Sequence, residues 1–286
     1  MPPQSNETPQ TIHDHSKLKP RKINFNKRAI LFTVVGIVIV AIIAFVVLAA
    51  ITANSTPDQK LYELKTKIVE PVIRATKLSA DSKLEYTTDL LDKRVAELLT
   101  LSADQSTSSP KTLDRLASLT QQHTGDSVWL IKNTNSLSGE EKVTTLALIT
   151  NSTRAFETLA DSSEEFEPIK DYSSDIQNIA QDGLKSEIEY FISNTDAGAI
   201  SAFIGEQIEI VGEEIKTVAQ NSRAQQLALI RIDDAGEYIT DAKFQEAIYA
   251  LLRARQAIAV DHYLYAAERG EGNAEAANTE VIPEGS

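Results

Sequence analysis

Residues able to do chemistry are few in this chain. It has four histidines, one tryptophan and no cysteine. Without cysteine there is no disulfide, no thiolate nucleophile and no thiolate zinc site. His13 and His15 flank Asp14 in a polar, Pro-containing stretch, where two histidines on a loose tail are expected to hold no metal. His123 lies three residues before Asp126, and His262 follows Asp261. Neither forms an i, i+4 histidine pair or an H-E-x-x-H signature. No Gly-rich phosphate loop and no G-x-S-x-G elbow occurs. Glu164, Glu165 and Glu167 crowd together. Paired acids serve glycoside hydrolysis when they flank a scissile bond, but on a helix surface they read as solvation. Trp129 follows Asp126-Ser127-Val128 and suits either stacking on a sugar or peptide or, as the more ordinary use, helix packing. The residue types therefore predict no catalytic residue, no cofactor and no metal.

The strongest physical signal is the run AILFTVVGIVIVAIIAFVVLAAITA, residues 29–53, 25 residues without a charge. At about 1.5 Å per residue a helix of this length reaches roughly 37 Å, enough to cross a ~30 Å hydrocarbon core. It is longer than the 7–15 residue apolar region of a signal peptide and ends without a good small-x-small cleavage site, so an uncleaved anchor is expected. Lys17, Lys19, Arg21, Lys22, Lys27 and Arg28 precede or open it, whereas Lys60, Lys65 and Lys67 on the far side are interleaved with Asp58, Glu63 and Glu70. The positive-inside rule then places the N-terminus in the cytoplasm and residues 54–286 outside. The lipid bilayer is the first expected partner.

Charge separates the two sides. Residues 1–28 carry six Lys/Arg and two acids, so a whole-chain charge of −13 leaves −17 for residues 54–286. Such a domain repels nucleic acid, which is not an expected partner.

Periodicity beyond the anchor is helical throughout. Thr56-Pro57-Asp58-Gln59 reads as a helix start, followed by Leu61, Leu64, Ile68 and Val72 as an inner stripe, with Pro71 kinking or ending the helix. A helix opening near Ser79 or Asp81 carries Leu84, Leu91, Val95 and Leu98 and runs to about Ser102. Residues 103–109 read as a loop. Ser109-Pro110 caps a helix with Leu113 and Leu116 inward. Ser138 and Glu141 form a capping box ahead of Val143, Leu146, Ile149, Phe156 and Leu159, and Ser162 with Glu165 repeats the signal before Ile176, Ala180, Leu184, Ile188 and Phe191. After a break at 194–198, Ile204, Ile208, Val211, Ile215 and Val218 recur at alternating spacings of four and three. Two helices over 224–268 join near Thr240-Asp241. No alternating strand pattern occurs. The expected fold is all-α: a disordered basic tail (1–28), a transmembrane helix (29–53), a membrane-proximal helical segment (54–102), a helical bundle ending in an αα-hairpin (103–269) and a disordered tail (270–286). Asn54 and Asn151 head formal glycosylation sequons.

Two resemblances accompany this reading. Pro57, Asp58, Leu61, Tyr62, Leu64 and Lys65, with the later pair Arg94 and Glu97, resemble the opening of a bacterial family of uncharacterised helical domains set behind a membrane anchor. The resemblance covers about 45 of 286 residues. It implies a bacterial envelope protein and no known catalytic residue. Residues 228–261 are similar to one tetratricopeptide unit, through Ala235, Tyr238, Phe244, Ala247, Leu251 and Ala254. A lone repeat cannot bury its own face, so a generic αα-hairpin is expected. The outer face of that hairpin is a candidate partner surface, with Tyr249, Tyr263 and Tyr265 as aromatic contacts to an envelope protein or peptide. The leading expectation is a plasma-membrane scaffold or binding module. Its rivals are a transmembrane sensor with a cytoplasmic partner and a tethered enzyme acting on cell wall.

Overall fold

The computed structural model describes the backbone of residues 27–53, 55–57, 59–103, 109–220 and 222–268. Side chains are described at Val35, from Ile37 onward within those ranges, and as far as His262, except at Ala103. Residues 1–26 of the expected basic tail, the whole C-terminal tail, most of the 103–109 loop, Asn54 and Asp58, and the side chains of Tyr263 and Tyr265 lie outside the described residues, as do His13 and His15, while Lys27 and Arg28 open helix α1.

All described regular structure is helical. Helix α1 is Lys27–Thr52. Its side chains are described without a break only from Ile37, and among the described residues no helix is long and apolar enough to cross a membrane. The chain divides into two compact units between Ala50 and Ile51.

The second unit begins with a strap made of α2 (Lys60–Leu64), a π-helical turn (Lys65–Val69) and α3 (Glu70–Thr76). Gln59, not Thr56, occupies the position before α2, and it makes no side-chain cap. Pro71 neither ends nor visibly breaks the strap. Its missing N–H would leave a carbonyl unpaired in a regular helix. Here the turn just before it widens instead, and the Glu70 N–H bonds the Lys65 carbonyl five residues back.

The expected inner stripe of the strap is corrected by the structure. Leu61, Ile68 and Val72 are 42%, 44% and 40% exposed. The buried side chains are Tyr62, Lys65, Thr66, Val69 and Glu70. The face turned inward is mostly polar because it meets charged partners on the bundle.

Helices α4 (Ala80–Ala103), α5 (Pro110–Asn133), α6 (Gly139–Asp161) and α7 (Lys170–Asn194) form a four-helix arrangement, in the ring order α4, α5, α7, α6. Their starts are local chemistry. The Ser79 hydroxyl accepts from the Ser82 N–H (3.0 Å), and Ser109 accepts from Thr112 (3.2 Å) ahead of Pro110. The Ser138–Glu141 capping box closes in both directions. Ser162 departs from expectation. It ends α6, donating to the Leu159 carbonyl (2.7 Å), while Ser163 caps a 3-10 turn, Glu164–Ile169, that contains Pro168 and leads into α7.

The apolar stripes fill this core. Val95, Leu98, Leu113, Leu116, Phe156, Leu159 and Ile176 pack at one end. Leu84, Leu91, Val143, Leu146, Leu184 and Ile188 pack at the other, continuous with α8 (Ala197–Ile215), α9 (Arg223–Thr240) and α10 (Phe244–Glu268). Gly183 allows a close approach, since a Cβ there would lie 2.8 Å from Val128. The α9–α10 hairpin is tight, with Ala235, Ala247 and Ala254 fully buried. Its turn uses a left-handed Ala242 (φ 56°), and the Lys243 N–H reaches the Tyr238 carbonyl at 2.8 Å. Asn151 is buried in α6, which leaves no room for a glycan at that sequon.

Candidate binding cleft beneath the strap

The strap is fastened by charge. Arg94, fully buried on α4, reaches three strap or neighbouring groups. Its guanidinium donates to Glu97 Oε2 (2.6 Å), to Glu70 Oε1 and to the Tyr62 hydroxyl oxygen. Tyr62 in turn donates to Glu97 Oε2 (2.6 Å). Lys65 Nζ donates to Glu97 Oε1 (3.0 Å) and to the Ser55 carbonyl (3.2 Å). Two cations and two carboxylates thus balance in one buried cluster. Lys65, Arg94 and Arg115 also stand 5.4–5.5 Å from the Tyr62 ring centre, where its π face attracts cations. Burial raises the Tyr62 phenol above its ordinary range, helped by Glu97. Burial works against the charge of Arg94, but the nearby carboxylates outweigh it and hold the guanidinium protonated. Tyr86 donates to the Glu70 carbonyl (3.3 Å) and is pushed up to about 12, chiefly by burial.

Tyr62, Lys65, Arg94 and Glu97 had been singled out by sequence, but only as packing and signature residues. Their meeting across 32 to 35 residues was not legible. Glu70, which completes the cluster, had no signal beyond being an acid near Pro71.

Beside the cluster lies a cleft of about 460 Å³. The strap supplies Glu70, Pro71, Arg74 and Ala75, α4 supplies Lys83 and Leu90, and α5 supplies Leu119, Gln122, His123, Trp129 and Leu130. Two of these linings are unusual. Glu70 is 6% exposed and His123 5%, yet Glu70 Oε2 and both ring nitrogens of His123 have no partner within the protein. A buried polar atom left so costs about 1–3 kcal/mol. Burial, then the charges of Arg94 and Arg74, lowers His123 to about 3, so its ring is neutral. A neutral imidazole offers one donor and one acceptor.

Other sequence candidates fall elsewhere. Asp126 pairs with Arg74 (2.5 Å), not with His123. Trp129 is not a core residue: it stands 62% exposed at the cleft. Glu164, Glu165 and Glu167 sit on the 3-10 turn, with Glu167 held by Lys170 (2.7 Å). His262 is exposed. Tyr249 is half-buried against the core of the bundle, and burial raises its phenol, so it is a packing residue more than a free contact. Among the described residues no group of three or more acids and histidines is placed to hold a metal ion. Comparison with protein families, curated proteins and solved structures finds no match to this chain.

Proposed function

We propose that this chain is a single-pass bacterial envelope protein whose outside helical domain is a binding module rather than an enzyme. The anchor is supported by the charge-free run from Ala29, the 26-residue helix that covers it and the basic residues in front of it. From Ile37 to Ile51 that helix exposes Ile and Val side chains to solvent, which lipid would cover. The binding reading is carried by one observation: two deeply buried side chains keep polar atoms unpartnered along one cleft. Unpaired buried polar groups in a folded protein call for a functional or solvent partner.

A C-terminal reporter tests the topology. It should be active only outside the cytoplasm, and cytoplasmic activity overturns the assignment. Binding is tested by thermal unfolding of the full chain in lipid nanodiscs. A low-mass fraction of envelope extract should raise the midpoint of the wild type, because a ligand of the native state stabilises it. Ala75→Phe, which fills the cleft from its exposed side, should remove that shift. No shift in the wild type refutes the binding module.

A transmembrane sensor is the second reading, and one feature favours it. One wall of the cleft is the strap itself, through Glu70, Pro71 and Arg74. Filling the cleft would therefore bear on the segment that follows α1 in the chain. Deleting residues 1–20 distinguishes the two: a sensor loses output, whereas a binding module keeps its ligand.

A further inference from the structure

The cleft carries a charge that the surrounding domain does not. Residues 54–286 sum to −17, yet the charged side chains lining the cleft are Arg74 and Lys83 against the single carboxylate of Glu70. That carboxylate already serves Arg94 through Oε1. Arg74 is held by Asp126 through one nitrogen. Lys83 is half-buried, and among the described residues no ion pair involves its ammonium. An anionic group is thus the natural counterpart for Lys83 and Arg74 in an otherwise acidic protein. Leu90, Leu119 and Leu130 give the walls an apolar part beside Thr66 and Gln122, and Trp129 presents a flat, exposed ring. In the wall of the cleft, the buried Glu70 Oε2 accepts only, and His123 offers a donor and an acceptor. A hydroxyl serves two of these three, donating its one proton to Glu70 Oε2 and accepting from the imidazole N–H.

We infer that the cleft binds a small hydroxylated aryl carboxylic acid, with the carboxylate at Lys83 and Arg74, the ring against Trp129 and Leu90, and the hydroxyl at Glu70 Oε2 and His123. The volume of about 460 Å³ lies within the range of small-molecule sites. The inference rests on the binding-module reading and narrows it to a class of ligand. Each recognised group has a separate role. The carboxylate selects by charge, the ring contributes buried apolar area, and the hydroxyl relieves two groups that otherwise stay unpaired. Sites built around buried polar groups reject analogues lacking the matching hydroxyl more strongly than apolar pockets reject a missing methylene.

The chain has a single tryptophan, so its fluorescence reports this cleft alone. The full chain in nanodiscs is titrated with 4-hydroxyphenylacetate, phenylacetate and 4-methylphenol, excited at the red edge of tryptophan absorption, with calorimetry as a second readout. The hydroxy acid should change Trp129 emission saturably. Phenylacetate and 4-methylphenol should each bind about tenfold more weakly, the equivalent of one unmade polar contact. Lys83→Ala should weaken both acids about tenfold and leave 4-methylphenol unchanged. The inference is overturned if none of the probes saturates, if phenylacetate or 4-methylphenol binds as tightly as 4-hydroxyphenylacetate, or if Lys83→Ala leaves the acids unaffected. Should the probes fail while the extract fraction still stabilises the wild type and not Ala75→Phe, the ligand class is wrong and the binding module stands. Should both fail, both readings fall.

Discussion

Arg94→Met is the sharpest test of how the strap is held. The methionine keeps most of the length and apolar bulk of the arginine stem but removes the guanidinium. Its two carboxylate partners are affected unequally. Glu97 retains the Lys65 ammonium (3.0 Å) and the Tyr62 hydroxyl (2.6 Å). Glu70 retains nothing: Arg94 is the partner of Oε1, and Oε2 has none. Breaking a buried pair from one side, which leaves the other charge stranded, typically costs about 3–5 kcal/mol. The loss is a large share of a domain stability of about 5–15 kcal/mol. Urea unfolding of the full chain, followed by helical circular dichroism, should show a deficit of about 4 kcal/mol at pH 7. The double variant Arg94→Met with Glu70→Gln should recover part of it at pH 7. A deficit below about 1 kcal/mol at pH 7 would refute the cluster as the fastening of the strap.

His123 should make stability fall in acid. Its charge is suppressed in the folded state, to about 3 against 6.5 unfolded, so its contribution is complete above pH 6.5 and lost as pH falls toward 3. The slope reaches about 1.4 kcal/mol per pH unit, and His123→Asn should flatten that limb relative to the wild type. Leu98→Ala, at a fully buried position of α4, should cost about 2–5 kcal/mol by urea unfolding, and a loss under about 0.5 would mean that the face is exposed. Ala242→Gly should raise stability by up to about 1 kcal/mol by relieving the left-handed turn, visible as a higher unfolding midpoint. The two glycines Gly183 and Gly205 should respond with opposite signs. Alanine at Gly183 drives into Val128, while alanine at Gly205 meets nothing within 4 Å and should gain up to about 1 kcal/mol of helix propensity.

The sequence by itself determined the helices and most of the core. The stripes through Leu91, Val95 and Leu98, through Leu146, Phe156 and Leu159, and through Ile176 to Ile188 were readable because one apolar face recurs every 3.6 residues and is buried along its whole length. Ser79, Ser109 and Ser138 were readable because a cap is settled within three residues. The basic flank and apolar run near the N-terminus likewise predicted an anchor from local composition alone. Tertiary structure decided the strap and the cleft. Periodicity assigns the apolar face inward, so it turned Leu61, Ile68 and Val72 toward a core they do not meet. The strap instead buries Tyr62, Lys65 and Glu70, because Arg94 and Glu97 wait on α4 more than twenty residues away in sequence. A charge buried against its complement has no signature in its own segment, since the favourable energy exists only once the partner arrives. The same holds for Trp129, Lys83 and His123, which lie on two helices and become one cleft only when the strap closes over them.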